Sequence, residues 1–293
     1  MIIASFVQML PILLALGAGY LYASFIEVDV SALVRITSDV FMPALIFHSV
    51  IHTALTSSDF LAVSGATALI FTLLLSLGWI WLKVTGENPR STLPAIVFMN
   101  SGFLGFPLMR LYGGADAMNV MVIFDQIQGV FLFTIGLFII TGGFSKKSLQ
   151  SLIHSPVIWA MGVSFTMLFL GIPLPNALDR SLSFMADAAS PIACFALGVS
   201  VKQTSFTFHR NVIGSLLFRF GGGYLIAWLA TILFGITGMA QTVLIVAASL
   251  PSAMLTSILP LRYGLDNQYA SMMVVISTLL GIVTIPIAFA LAG

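Results

Sequence analysis

The sequence predicts an all-α membrane protein whose ten transmembrane helices form two inverted five-helix repeats, with broken, crossing helices at the fourth and ninth positions. Three observations carry this: a composition too apolar for water, ten apolar blocks of spanning length, and a pattern of charges and prolines that recurs between the halves. Of 293 residues, 59% are hydrophobic and 7% charged, against about 25% charged in a soluble domain. So few charges cannot cover a water-exposed surface, and lipid is the solvent that remains.

Turn signals and charges leave apolar blocks at roughly 3–24, 32–53, 59–82, 92–112, 117–141, 154–171, 181–201, 210–234, 239–262 and 267–292. Each suits a helix crossing about 30 Å of hydrocarbon at 1.5 Å per residue. The connections are too short for a soluble domain, so the expected organisation is two halves, 1–145 and 146–293, with function carried by the helices. The first block lacks the basic flank of a cleaved leader and is read as a retained helix. Eleven Lys and Arg against ten Asp and Glu give a formal net charge of +1 with no dense basic run, which argues against a nucleic-acid partner. The lone Cys194 excludes an intrachain disulfide and a cysteine-based zinc site.

Orientation follows from Lys and Arg in short loops. With the N-terminus outside, the cytoplasmic side receives Arg35, Lys83, Arg90, Lys146, Lys147, Lys202, Arg210 and Arg262, and the outside only Arg110 and Arg180. Both termini are therefore expected outside the inner (plasma) membrane.

Internal similarity accounts for the pairing of halves. Asp39-Val-Phe-Met-Pro43 in segment two recurs as Asp187-Ala-Ala-Ser-Pro191 in segment seven, 148 residues on, and Tyr112-Gly113 recurs as Tyr263-Gly264, 151 residues on. Because five is odd, the second half enters the membrane from the opposite side, which makes the repeats inverted.

The strongest local feature is Asn100-Ser101-Gly102-Phe103-Leu104-Gly105-Phe106-Pro107 in segment four. Two glycines weaken the helix and Pro107 removes a donor, so the break is expected to centre on Gly102 to Phe106. Leu250-Pro251-Ser252 does the same midway along segment nine. Broken backbone at that depth is tolerated only inside protein or beside a polar cavity, and paired breaks in corresponding helices point to a solute site. Each half-helix that begins at a break presents unpaired N–H groups and about half a positive charge, which suits a carboxylate. Asn100, Ser101 and Ser252 can donate the remaining hydrogen bonds. The plainer reading is that Gly and Pro here only permit close helix packing.

These residues resemble the auxin efflux carrier family of membrane permeases. The resemblance spans essentially the whole chain and rests on residues 100–107, on Phe41-Met-Pro43-Ala-Leu-Ile-Phe47, on Ser190-Pro191-Ile-Ala-Cys-Phe-Ala-Leu-Gly198, and on the stretch from Pro251-Ser252 through Tyr263-Gly264 to Ser277-Thr278. It implies the ten-helix inverted-repeat fold, related to that of bile-acid symporters. Helices 1, 2, 6 and 7 would form a scaffold, helices 3–5 and 8–10 a moving transport domain, with an elevator-like motion and a homodimer. It also implies that Asn100, Pro107 and Pro251 mark the crossover. The long cytoplasmic loop of many plant members is absent.

Two charges fall deep in apolar segments, Asp125 and Arg219, where an unpaired charge costs several kcal/mol. At similar predicted depth they are positioned to pair. The functional reading makes Asp125 with Gln126 a proton or coupling site, Gln128 lying nearby, and makes Arg219 an attractor for the anion; the plainer one is a structural ion pair. Asp39 and Asp187, each four residues before a proline, predict matched kinks at Pro43 and Pro191 that act as hinges facing the cavity. His48 and His52 share a helix face, yet no third ligand is evident, so no metal is expected. Gly221-Gly222-Gly223 predicts close packing against the crossover.

The function expected is a secondary transporter for a small organic anion, a mono- or dicarboxylate, held by Asn100, Ser101, Gly102, Gly105, Pro107, Pro251, Ser252 and Arg219. No cofactor is expected beyond a coupling H+ or Na+. A sodium-coupled symporter of the bile-acid type is the alternative. An intramembrane enzyme is disfavoured, since the chain contains no Gly-x-Ser-x-Gly, His-Glu-x-x-His or Gly-x-Gly-Asp.

Overall fold

The computed structural model describes residues 2–52, 57–143, 154, 156–203, 211–262, 265–266 and 268–292. Tyr263 and Gly264 of the repeat pattern, and the charges at Lys146, Lys147 and Arg210, lie outside the described residues. Within them every regular element is helical, and one isolated antiparallel bridge joins Met99 to Ser252. Six helices are long and apolar enough to span a bilayer, with shorter apolar helices beside them. The chain is a multi-pass α-helical membrane protein.

In order, α1 is Ile2–Phe25 and α2 is Val30–Ile51. The start of α2 is set by Asp29, whose carboxylate accepts the Ser31 and Ala32 amides, an N-cap of the usual kind. Helix α3 is Ser57–Thr85 and α4 is Pro89–Val97, opened by the Asn88 cap with proline in its first turn. Helix α5, Ser101–Thr141, is two arms joined where Gly113 (φ −138, ψ 18) and Gly114 (φ 58, ψ −135) leave helical geometry. The φ and ψ of Gly114 belong to a region that only glycine enters freely, so this turn folds Asp125 back beside Ser101. Then come α6 (Pro156–Leu170), α7 (Asn176–Gln203), α8 (Asn211–Leu233), α9 (Gly238–Ala248), α10 (Leu255–Arg262) and α11 (Gln268–Ala292).

The prolines act unequally. In α2, Pro43 has no N–H for the Asp39 carbonyl, and a π-turn over Thr37–Phe41 absorbs the mismatch, with the Met42 amide bonded to the Thr37 carbonyl. In α7, Pro191 sits inside a continuous helix. The two prolines share a spacing but not a local geometry: a widened turn relieves Pro43 and is not used at Pro191.

Packing is densest between α1 and α7, while α2 lies against α6 and α7. Helices α3, α5, α8 and α9 pack among themselves, and α11 covers α4 and α9. Glycine sets the closest approach. A Cβ added at Gly198 would lie 1.9 Å from the Leu16 carbonyl oxygen, and one at Gly19 would lie 2.1 Å from that of Phe195, so α1 and α7 meet backbone to backbone as small residues allow in membranes. Large apolar side chains such as Leu14, Leu61, Phe184 and Leu217 stand outward, where lipid makes their exposure costless. The interior belongs to α4 and α9, where Leu93, Ala95 to Met99 and Val243 to Ala248 are at most 1% exposed.

The close approach gives a direct test. Gly198→Ala should destabilise the protein by about 1–3 kcal/mol or more, because the added methyl meets a carbonyl that cannot rotate away. Gly17→Ala on the facing helix α1, with nothing within 4 Å of an added Cβ, should leave thermal unfolding in detergent unchanged or slightly improved.

Candidate functional site

Two helices stop in the buried centre and their loose ends are joined to each other. Helix α4 ends at Val97, Phe98 is extended (φ −90, ψ 131) and Asn100 has φ −80 and ψ 58. On the other side α9 ends at Ala248 with Ser249 as its cap, and α10 begins at Leu255. The Asn100 amide donates to the Pro251 carbonyl at 2.8 Å, and the Ala253 amide donates to the Phe98 carbonyl at 2.9 Å. The second interruption lies at Pro251 as the sequence predicts. The first does not centre on Gly102 to Phe106: it lies at 98–100, and Ser101–Gly105 is a π-turn running into the helix that follows. Proline at position 107 is tolerated there because the π-turn before it, like the one before Pro43, takes up the missing donor.

A helix end deep in the molecule leaves carbonyls that must be satisfied, and here each from Ala95 to Asn100 has a donor. The Ala95 carbonyl accepts from Ser252 Oγ at 2.6 Å. Those of Ile96 and Val97 accept from Arg219 Nη1 at 2.9 and 2.6 Å. That of Phe98 is taken by Ala253, that of Met99 by Gln128 Nε2 at 2.9 Å, and that of Asn100 by the amides of Leu104 and Gly105. The other guanidinium arm, Arg219 Nη2, donates to Ala248, the last carbonyl of α9. Arg219 is fully buried and projects from a π-turn in α8, Phe218–Gly222. Gly223 allows this: a Cβ there would lie 2.1 Å from the Ala248 oxygen, so of the three consecutive glycines it is this one that makes the predicted close packing.

The pairing of Arg219 with Asp125 does not occur. Arg219 spends its Nη donors on helix ends. Asp125 accepts from Ser101 Oγ at 2.5 Å and from Gln126 Nε2 at 3.2 Å. Gln128 completes the network, donating to Ser101 Oγ at 2.6 Å and accepting the Met99 amide at 2.8 Å.

A cavity of about 650 Å³ opens beside this network. Of the predicted residues, Asn100, Ser101, Gly102, Asp125, Gln126 and Asp39 line it. Asn100 is 2% exposed and its side-chain Nδ2 has no partner, which is unusual for a buried amide. The wall continues through Ala253 to Leu255, so the residues where both later half-helices begin face one space. The lining runs out to the exposed Arg35 and to His154, neither of which the sequence singled out as site residues. Arg35 was legible only as a loop charge, since nothing in a helical repeat says which face of α2 meets a cavity.

The remaining predicted residues lie elsewhere. Ser252 is fully buried, its hydroxyl given to Ala95 and its amide to Ser277 Oγ at 2.9 Å. Pro251 is held against α11, where a Cβ at Gly281 would lie 2.8 Å from its ring. Gly105 packs on Met121, 2.2 Å from an added Cβ, and Pro107 is buried. Gly105, Pro107, Pro251, Ser252 and Arg219 thus shape the interruption from behind, outside the cavity lining, because the hydrogen bonds and contacts that hold the broken backbone consume them. Asp187 faces away and forms an ion pair with Arg110 of α5 at 2.5 Å. The third donor that the sequence did not offer His48 and His52 is supplied by Asp179 of α7.

Buried interruptions tied together beside a polar cavity, in a multi-pass helical chain, define a membrane carrier. The sequence pattern of the membrane transport protein family matches residues 4–144 and 141–289, and the chain belongs to that family. The resemblance to auxin efflux carriers is borne out. Among its relatives, an uncharacterized transporter of Methanothermobacter thermautotrophicus is 28% identical over 89% of this chain and 88% of its own length. A protein of Rhizobium meliloti, provisionally named a malonate transporter, is 25% identical over 83% and 81%. Auxin efflux carrier component 6 of Arabidopsis thaliana is 26% identical over 47% of this chain and 24% of its own length. The protein is a membrane transporter of this family.

Arg219→Met should strand three buried carbonyls at about 1–3 kcal/mol each. The expected result is a loss of several kcal/mol in detergent unfolding, with Arg219→Lys intermediate because one ammonium cannot reach all three. A stable Arg219→Met protein with impaired transport alone would show instead that the arginine serves the solute.

Proposed function

We propose that this transporter is a secondary carrier for small organic anions, moving a mono- or dicarboxylate by alternating access between two inverted halves, 1–145 and 146–293. One observation carries the reading: every carbonyl from Ala95 to Asn100 has a protein donor, while the helix starts at Ser101 and Leu255 face the cavity beside the unpartnered Asn100 amide. First-turn N–H groups have no intrahelical acceptor and carry about half a positive charge per helix. At the Leu255 start the Thr256 and Ser257 amides are already bonded to the Ala253 and Met254 carbonyls, so a carboxylate in the cavity receives the first-turn donors at Ser101 and Asn100 Nδ2, and no counter-cation at the break is required. This is the anion site predicted from the sequence, narrowed to Asn100, Ser101 and Gly102.

Arg35 extends the reading to dicarboxylates. It stands seven residues before Met42, about 10 Å along α2, and Met42 Cε lies 3.8 Å from a Cβ built on Gly102. An arginine on the same wall at that distance suits the far carboxylate of a short diacid, and the Rhizobium relative's name agrees with such a solute.

Asp125 supplies the coupling. Its Oδ1 lies 3.8 Å from a Cβ built on Gly102, so this carboxylate itself occupies the positive end of the helix. An arriving anion is repelled until Asp125 takes up a proton or a bound cation neutralises it, which links solute to H+ or Na+. The cavity lies between helices of the expected scaffold (α2, α6) and those of the expected moving domain (α5 and residues 253–255), and the dense packing of α1 on α7 and of α2 on α6 supports that division. The match of the family pattern in two stretches meeting at 141–144 falls beside the boundary between halves. Pro43, with its π-turn, is the hinge this motion uses, and the Arg110–Asp187 pair bridges the two groups opposite it. With both termini outside the plasma membrane, the cavity mouth at Arg35 and His154 faces the cytoplasm, and a homodimer through the scaffold completes the reading.

Counterflow in liposomes tests it, with malonate and acetate as the first solutes. Asn100→Ala removes a hydrogen bond to a charged group, about 1.5–3 kcal/mol, and should raise KM roughly tenfold to hundredfold; an unchanged KM sinks the site. Arg35→Gln should weaken dicarboxylate uptake and spare monocarboxylate. Asp125→Asn should retain anion exchange yet lose the response to an imposed pH gradient. Uptake driven by a sodium gradient alone favours the symporter of the bile-acid type.

A further inference from the structure

His48 and His52 close α2, His52 being its C-cap, and Asp179 lies in the first turn of α7. The two imidazoles are one turn apart on one helix face, their centroids 4.6 Å from each other. Asp179 Oδ1 is 2.8 Å from His52 Nε2 and 3.5 Å from His48 Nε2, and one donor atom from each of the three residues lies within 4.8 Å of the others. The carboxylate comes from 127 residues beyond His52, so the convergence is a product of the fold and not of local spacing.

A His–Asp hydrogen bond accounts for part of this geometry. One proton on His52 Nε2 satisfies the 2.8 Å contact. It leaves His48 Nε2 directed at the same oxygen from 3.5 Å, beyond hydrogen-bonding distance. A divalent ion explains both. Imidazole nitrogen and carboxylate oxygen bind zinc at about 2.0–2.2 Å, which sets neighbouring donors roughly 3–3.5 Å apart in tetrahedral or octahedral arrangements. The distances of 2.8 and 3.5 Å to Asp179 bracket that spacing. An ion replaces the His52 proton and accepts lone pairs from both imidazoles at once.

We infer that His48, His52 and Asp179 form a divalent metal site of the two-histidine, one-carboxylate kind, suited to zinc or a neighbouring first-row ion. Imidazole donors favour that class over magnesium and calcium, which take oxygen ligands. The side chains are 28%, 50% and 31% exposed, so the ion is reached from solvent and keeps water in its open positions. Two ligands belong to α2 and one to α7, and the bound ion clamps the end of α2 beyond Pro43 onto the helix that packs along α1. This inference does not depend on the identity of the transported solute.

The test uses the full chain purified in detergent, with any affinity tag removed and chelator dialysed away. Zinc titration by calorimetry should give one ion per chain and a rise in unfolding temperature as the ligand-bound fold is favoured. Cobalt in its place should show visible d–d absorption. Binding should weaken in His48→Ala, His52→Ala and Asp179→Asn by at least the roughly 10–100-fold that losing an outer-shell partner costs a metal site. His48→Ala is the decisive variant, since it leaves the His52–Asp179 bond and hence the fold intact. Zinc held with unchanged affinity by His48→Ala, no binding by the wild-type chain, or equal stabilisation by magnesium overturns the proposal.

Discussion

Arg219 is the residue on which the centre of this protein depends. Two helices end within the apolar interior, where no water reaches their last carbonyls, and each unsatisfied group there costs several kcal/mol. One guanidinium from a third helix answers the end of α4 through Ile96 and Val97 and the end of α9 through Ala248. The charges balance too, although the buried Arg219 Nε has no acceptor. Two helix C-termini carry about half a negative charge each, and one buried arginine carries a full positive one. Its burial without a carboxylate partner is understandable on that ground.

The remaining asymmetry shapes the cavity. The C-terminal ends of the half-helices are closed by protein groups: Arg219, the Ser252 hydroxyl, Gln128 and the backbone bonds between 98–100 and 251–253. The N-terminal ends are directed at a cavity. Protein donors answer only the negative ends, and the Asp125 carboxylate, 3.8 Å from a Cβ built on Gly102, stands beside the positive end at Ser101. The same arithmetic explains the position of Arg219, since moving it into the cavity would leave three carbonyls bare.

Much of this was legible residue by residue. Pro251 marked its interruption correctly because proline removes a local hydrogen bond wherever it falls within a helix. Pro107 misled by several residues for a related reason. The π-turn over Ser101–Gly105 takes up the donor that Pro107 lacks, and the chain opens instead at Phe98 to Asn100, where the local sequence contains no breaker. That stretch is held open by backbone hydrogen bonds to residues 251–253, remote in the chain. Asn100, Ser101 and Asp125 were recognised as polar groups in apolar surroundings, a signal composition alone provides. Arg35 and Asp179 were not, since each lies near a segment end, where a charge needs no explanation.

What the sequence determined by itself was therefore what depends on neighbours along the chain: lipid as solvent, the placement of the apolar helices, the turn at Gly113-Gly114, and the presence of polar groups too deep to be idle. What the tertiary structure decided was which of those groups meet. Arg219 joined helix ends and not Asp125, Ser252 became a strap while Asn100 kept a free amide, and His48 and His52 gained Asp179. Helical periodicity and turn chemistry are short-range constraints, whereas the partner of a buried donor is chosen by how remote helices pack, and glycines such as Gly198 and Gly223 set that packing only once the opposing backbone is in place.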